Sequence, residues 1–272
     1  MLSDMSRKLR PLPPLGSLDL PAIIAALYDR APDRVGSGLE VCHCPVCMTE
    51  ETRQAIIATP VRALSADLIR EYSNSAHGVP TDLDDLRALL PRYLELLAAG
   101  EAIDYNQVGC ELQRFGDARA FRPDLWDAEE RALLALYARR VLAQAIAGHE
   151  TAAPATGCPV EMAVILAVGG WPPADLTEAL DAAMAAGGET ARVNVLLDLC
   201  AHARDGWLDL WAIDERRPEA RPAFDLWARA CLTSEAVWEL VTAPPAGLPP
   251  AIRQRLGTAA PHLRNLIATL TA

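Results

Sequence analysis

Leu83, Leu86, Leu90, Tyr93 or Leu94, and Leu97 recur at spacings of three and four residues, a pattern that lines one face of a helix. A strand needs alternation with period two, and this stretch has none. Segments with the same period follow one another along the chain, separated by proline and glycine. Pro21 opens one that ends at Ala31-Pro32, and others cover 49–59, 65–76, 106–115, 127–147, 159–169, 175–186 and 189–204. Shorter ones follow at 207–214, 223–231, 234–242, 250–256 and 261–270. Ser65 reads as an N-cap, and Thr81 with Asp84 as a variant capping box for the leucine-striped helix. Pro91 should kink that helix and Gly100 should end it. Gly148, Gly169-Gly170, Gly187-Gly188 and Gly206 read as further stops.

Alanine and leucine dominate, and both favour helix over strand. The expected fold class is therefore all-α, an irregular multi-helix array without a regular repeat. Only 33–48 lacks helical period, and Leu39-Glu40-Val41 is the one strand candidate. Residues 1–17 read as a flexible, proline-punctuated lead. A helical region over 18–150, with a cysteine loop at 40–48, precedes a second helical region over 151–272, packed with the first as one unit.

The chain carries 36 acidic and 25 basic residues, a net charge of -11, and Lys8 is its only lysine. Basic residues are scattered among acids without forming a stripe, which argues against nucleic acid and anionic membrane as partners. Arg7, Lys8 and Arg10 precede a proline-rich stretch instead of an apolar run, unlike a signal peptide. The apolar stretch 160–168 is too short to span a bilayer. The expectation is a cytoplasmic protein with reduced cysteines, in keeping with their odd number of seven.

Cys42-His43-Cys44-Pro45-Val46-Cys47 packs three thiols and an imidazole into six residues. A C-P-x-C turn aims two thiolates the same way, and zinc takes four such donors in a tetrahedron. Cys42, Cys44 and Cys47 are the expected zinc ligands, with His77 as fourth and Cys110 or Cys158 as weaker substitutes. His43, between two cysteines, reads as a neighbour of the ion. Redox-active thiols are a second reading, since Cys47 stands just before a helix N-terminus; plain loop cysteines without a role are a third, and an iron–sulfur cluster, which needs a fourth thiolate, is a fourth.

The segment 40–97 resembles a group of uncharacterised bacterial proteins. The likeness rests on Cys44-Pro45-Val46-Cys47, Glu50-Glu51, Thr59-Pro60-Val61-Arg62-Ala63-Leu64 and Leu89-Leu90-Pro91-Arg92. It is carried by a C-P-x-C start, a "TPLREL"-like turn and an "FLPRLLEL"-like helix. The resemblance implies that the cysteine loop and the helices after it form one unit; His77 is outside its pattern.

Other residues have structural readings beside functional ones. Asp198 and His202, four apart on one helix, suit an ion pair, a metal or a general base with its orienter. His149-Glu150 follows a helix stop, and Asp104-Tyr105-Asn106 reads as an N-cap region. Cys200 and Cys231 fall on apolar faces as small core residues. Trp207, Trp211, Trp227 and Trp238 are core or the lining of a groove. The sequence shows no P-loop, G-x-G-x-x-G, G-x-S-x-G or H-E-x-x-H. The expected function is a non-catalytic protein-interaction module with a structural zinc site. The alternative is a metal- or thiol-dependent enzyme working through Cys42, Cys44 and Cys47.

Overall fold

The computed structural model describes residues 12–39, 41–42, 44, 47–75, 82–103, 109–117, 125–148, 158–204 and 207–271. The fold is all-α. The N-terminal region holds α1 (Leu20–Arg30), α2 (Glu50–Ala58), α3 (Ala66–Asn74) and α4 (Leu83–Ala98). The short α5 (Gln113–Asp117) leads to the long α6 (Ala128–Gly148), α7 (Pro159–Gly169) and α8 (Pro173–Ala201). Then come α9 (Trp211–Arg216), α10 (Arg221–Leu232), α11 (Glu235–Thr242) and α12 (Pro250–Thr271).

Helix starts follow local side-chain chemistry. The side chains of Asp19, Thr49, Ser65 and Ser234 each accept a hydrogen bond from the backbone N–H three residues on. Asp127 and Glu130 cap each other's backbone N–H at the start of α6, a reciprocal box. Helix α4 is capped by Asp82, which accepts from the Asp84 N–H. That corrects the Thr81–Asp84 reading: Asp84 supplies its backbone, and Thr81 lies outside the described residues. Gly100, at φ 74°, closes α4 as its N–H and that of Glu101 bond back to Leu97 and Leu96.

Helix α8 is the hub. It packs against α6, α7, α10 and α12, while α1 lies on α4 and α6. Its expected break at Gly187-Gly188 is a bend inside one helix, with Gly188 at φ 66°, ψ -148°. Buried apolar side chains form one continuous cluster from Leu18 to Ile267. Between the 109–117 segment and α7 runs a seam of three glycines. A Cβ on Gly109 would stand 2.9 Å from the Ala212 Cβ, one on Gly116 1.9 Å from the Val168 carbonyl oxygen, and one on Gly169 2.7 Å from the Leu112 Cβ.

Four further expectations fail. Helix α12 runs through Pro261 without stopping, because its apolar face (Ile252, Leu256, Leu263, Leu266, Ile267) stays buried on both sides of the proline. The segment expected as a helix over 207–214 begins as a strand. Ala203–Arg204 (β1) and Trp207–Leu208 (β2) pair antiparallel, in register Ala203↔Leu208, and α9 starts only at Trp211. Leu39 and Val41 are not strand residues; both are buried in irregular backbone. Burial of their side chains, without a neighbouring strand, accounts for their apolar character. Within the described part of 106–115, only Gln113 onward is helical.

Candidate metal centre

The loop between α1 and α2 is fastened to the core on both flanks. Leu39, Val41 and Met48 are buried, with 1%, 4% and 4% of their surface exposed. Burial of these three side chains holds the ends of the loop close together. Inside it the Cys47 N–H donates to the Cys44 carbonyl at 3.1 Å, and the Met48 N–H reaches the same oxygen at 3.3 Å. This tight turn brings Cys44 and Cys47 to one side. The sulfurs of Cys42, Cys44 and Cys47 all lie within 4.8 Å of one another, and each residue is half-buried. Three thiols at this separation can bind one metal ion.

His77, the expected fourth ligand, lies outside the described residues, as do His43, His149-Glu150 and Asp104-Tyr105-Asn106. Among the described residues no further His, Cys, Asp or Glu joins the three sulfurs. Cys110 is buried just ahead of α5, and Cys158 stands at the N-cap of α7, so neither completes the set. None of the seven cysteines is in a disulfide. No helix among the described residues is long and apolar enough to cross a membrane. No family model, no curated protein and no solved structure matches the chain.

A second polar cluster joins α7 and α8. Asp198, on α8, is 1% exposed, and its Oδ2 accepts the Val160 N–H at 2.6 Å. It thereby caps the first turn of α7 from another helix, a role the Cys158 side chain leaves unfilled. His202 Nε2 lies 3.6 Å from Asp198 Oδ1, so the i, i+4 pair read from the sequence is made. Burial, then the Asp198 carboxylate, pushes the Cys158 thiol up to about 12. The carboxyl of Glu161 is also raised, by burial first and by Asp198 second, while His202 pulls it down. Sequence reasoning found Asp198 and His202 but missed their partners, whose only local sign was Cys158 and Glu161 three apart.

Two further features were missed. Arg114 lies over the Tyr72 ring at 4.0 Å and closes the C-terminal end of α3. Its Nη2 donates to the Tyr72 carbonyl and, at 2.6 and 2.8 Å, to the Ser75 carbonyl and hydroxyl oxygens. Burial lowers this guanidinium to about 10. Between α1, α4 and α6 lies an open cleft of about 330 Å³, lined by Leu20, Ile24, Tyr28, Arg62, Glu95 and Gln144 among others. There the Tyr28 hydroxyl donates to Glu95 at 2.6 Å, and Arg62 covers the Tyr28 ring at 4.4 Å.

The tryptophans divide. Trp227 is buried and its Nε1 donates to Asp181 at 2.8 Å, whereas Trp211 and Trp238 are 44% and 47% exposed. The side chain of Trp207 lies outside the described set. Cys200 and Cys231 are half-buried and pack against the core. Burial raises both thiols, that of Cys231 to about 12. A raised thiol holds little thiolate at neutral pH, and thiolate is the nucleophile. Alkylation of Cys231 in the folded protein should therefore be slow at pH 8 and accelerate about tenfold per pH unit above it. Rapid labelling at pH 8, read by mass spectrometry, would refute that placement.

Proposed function

We propose that the chain is a non-catalytic helical protein-interaction module whose cysteine loop is held by a structural zinc ion. The convergence of Cys42, Cys44 and Cys47 supports this reading best. The three cysteines stand between α1 and α2, where no helix of their own orders them. A zinc ion bound by thiolates contributes on the order of 10 kcal/mol to ordering such a segment. Zinc suits the donors because thiolate sulfur and imidazole nitrogen both bind it well, and it imposes no geometry beyond the tetrahedron. His77 is the proposed fourth ligand.

The partner is proposed to be a basic protein met in the cytoplasm. The net charge of -11 favours encounter with such a partner. Trp211, Trp238 and Leu226, the last 71% exposed, offer apolar anchors of the kind that dominate binding energy. The enzyme reading keeps the same three cysteines but requires an open metal position carrying water.

Chain purified without added metal should contain about one zinc. Cys44→Ser and Cys47→Ser should each release it, and His77→Ala should weaken it if His77 is the fourth ligand. Metal-free protein with an unchanged melting temperature would overturn the structural role. X-ray absorption showing a water-bearing open position would favour the enzyme. The interaction itself is tested by isolating the chain from its native host: a salt-sensitive complex with one basic protein is expected.

A further inference from the structure

Resting on the zinc reading, we propose that the site is a redox-released one: a hydroperoxide joins Cys44 and Cys47 in a disulfide and expels the metal. Three observations point this way. First, the turn closed by the Cys47 N–H on the Cys44 carbonyl is an i to i+3 closure, which keeps the two Cα atoms within about 7 Å. That overlaps the Cα separation of about 4.4–6.8 Å that a disulfide spans. The sulfurs already lie within 4.8 Å, so a side-chain rotation brings them to bonding distance without unwinding the flanking helices.

Second, the three thiols are half-buried in a surface loop, within reach of a small oxidant. The remaining four are less available to it. Cys110 is buried, the thiols of Cys158 and Cys231 are pushed up to about 12, and that of Cys200 is raised. Third, the loop ends are anchored by Leu39, Val41 and Met48 independently of any metal. Loss of the ion therefore changes the loop and the approach to α2 while leaving the helical core in place.

The chemistry balances. The thiolate of one cysteine attacks the peroxide oxygen; the O–O bond breaks, a sulfenic acid forms, and the alkoxide (hydroxide from hydrogen peroxide) leaves and takes a proton from solvent to become the alcohol or water. The second thiolate attacks that sulfur, the S–S bond forms, and hydroxide leaves to be protonated to water. Two thiolates lose two electrons and the hydroperoxide gains them. Disulfide sulfur is neutral and a poor donor, so zinc keeps only Cys42 of the three thiolates and dissociates.

The test uses the full chain, with zinc measured first, treated with hydrogen peroxide in the presence of a chromogenic zinc chelator. The expected result is release of about one zinc per chain, together with a 35–53 tryptic peptide lighter by two hydrogens. Dithiothreitol and added zinc should reverse both. Cys42→Ser should still form the disulfide, whereas Cys44→Ser should lose the Cys44–Cys47 bond. A zinc-loaded chain that keeps its metal under peroxide, or whose cysteines pass to sulfinic acid without pairing, overturns this inference alone. A chain without zinc at the outset overturns the zinc reading and this inference with it.

Discussion

Gly116→Ala should destabilise the protein by about 4 kcal/mol or more, at the far end of single-substitution effects. The added methyl would lie 1.9 Å from the Val168 carbonyl oxygen, a backbone atom of α7 that no rotamer change can move. Helix α5 must then lift off α7. It would carry with it Leu112 and Phe115, both fully buried, and disturb Arg217, whose Nη1 bonds the neighbouring Ala167 carbonyl at 3.2 Å. The expected drop in melting temperature is on the order of 10 °C. Gly257→Ala supplies the opposite case. A Cβ there meets nothing within 4 Å and the residue lies inside α12, so alanine should stabilise by about 0.5–1 kcal/mol. Equal melting of the Gly116 variant and the parent chain would show that α5 does not sit on α7 as described.

Asp198→Ala should cost about 1–3 kcal/mol, the range for leaving a buried donor without its acceptor. It leaves the Val160 N–H without its acceptor at the start of an almost wholly buried helix, and takes the carboxylate away from His202. Asp198→Asn, which keeps an acceptor oxygen, should lose less. The pH dependence should change as well. The raised Glu161 carboxyl favours the fold while protonated, and that contribution fades as pH climbs from the ordinary carboxylate value through the raised one. Removing Asp198 removes one cause of the raised value, so the loss over that window should shrink. Denaturant titrations from pH 4 to 7 read both effects. An Asp198→Ala variant as stable as the parent would contradict the capping role.

The sequence showed those parts of the fold whose causes are local. The α4 stripe, the Ser65 cap and the Gly100 stop each depend on residues within a turn or two, so periodicity and capping chemistry locate them. The cysteine trio was legible for the same reason, since its three members span six residues. What escaped depends on neighbours distant in the chain. Pro261 looked like the start of a separate helix after 250–256, and only the apolar face buried along the whole of α12 explains why the two are one. The pairing of β1 with β2 carries no alternation long enough to read. The glycine seam is invisible until the Val168 carbonyl and the Leu112 side chain are in place beside it. Asp198 and His202 were recognised as a pair, but the N–H that Asp198 caps belongs to a residue 38 positions earlier.

That last separation has a consequence for the order in which the chain is made. Helix α7 carries the most apolar stretch of the molecule, with Val160, Met162 and every residue from Ala163 to Gly169 buried in the finished fold. It leaves the ribosome 38 residues ahead of the carboxylate that closes its first turn, which is then still inside the exit tunnel. The hub helix that covers it is also incomplete at that point. During the interval its apolar surface is open to water and to other nascent chains, and a trigger for association exists that the mature protein does not display. Arrival of the last turn of α8 supplies the acceptor for the Val160 N–H, and α9 then completes the cover that α5, α6 and α8 give α7.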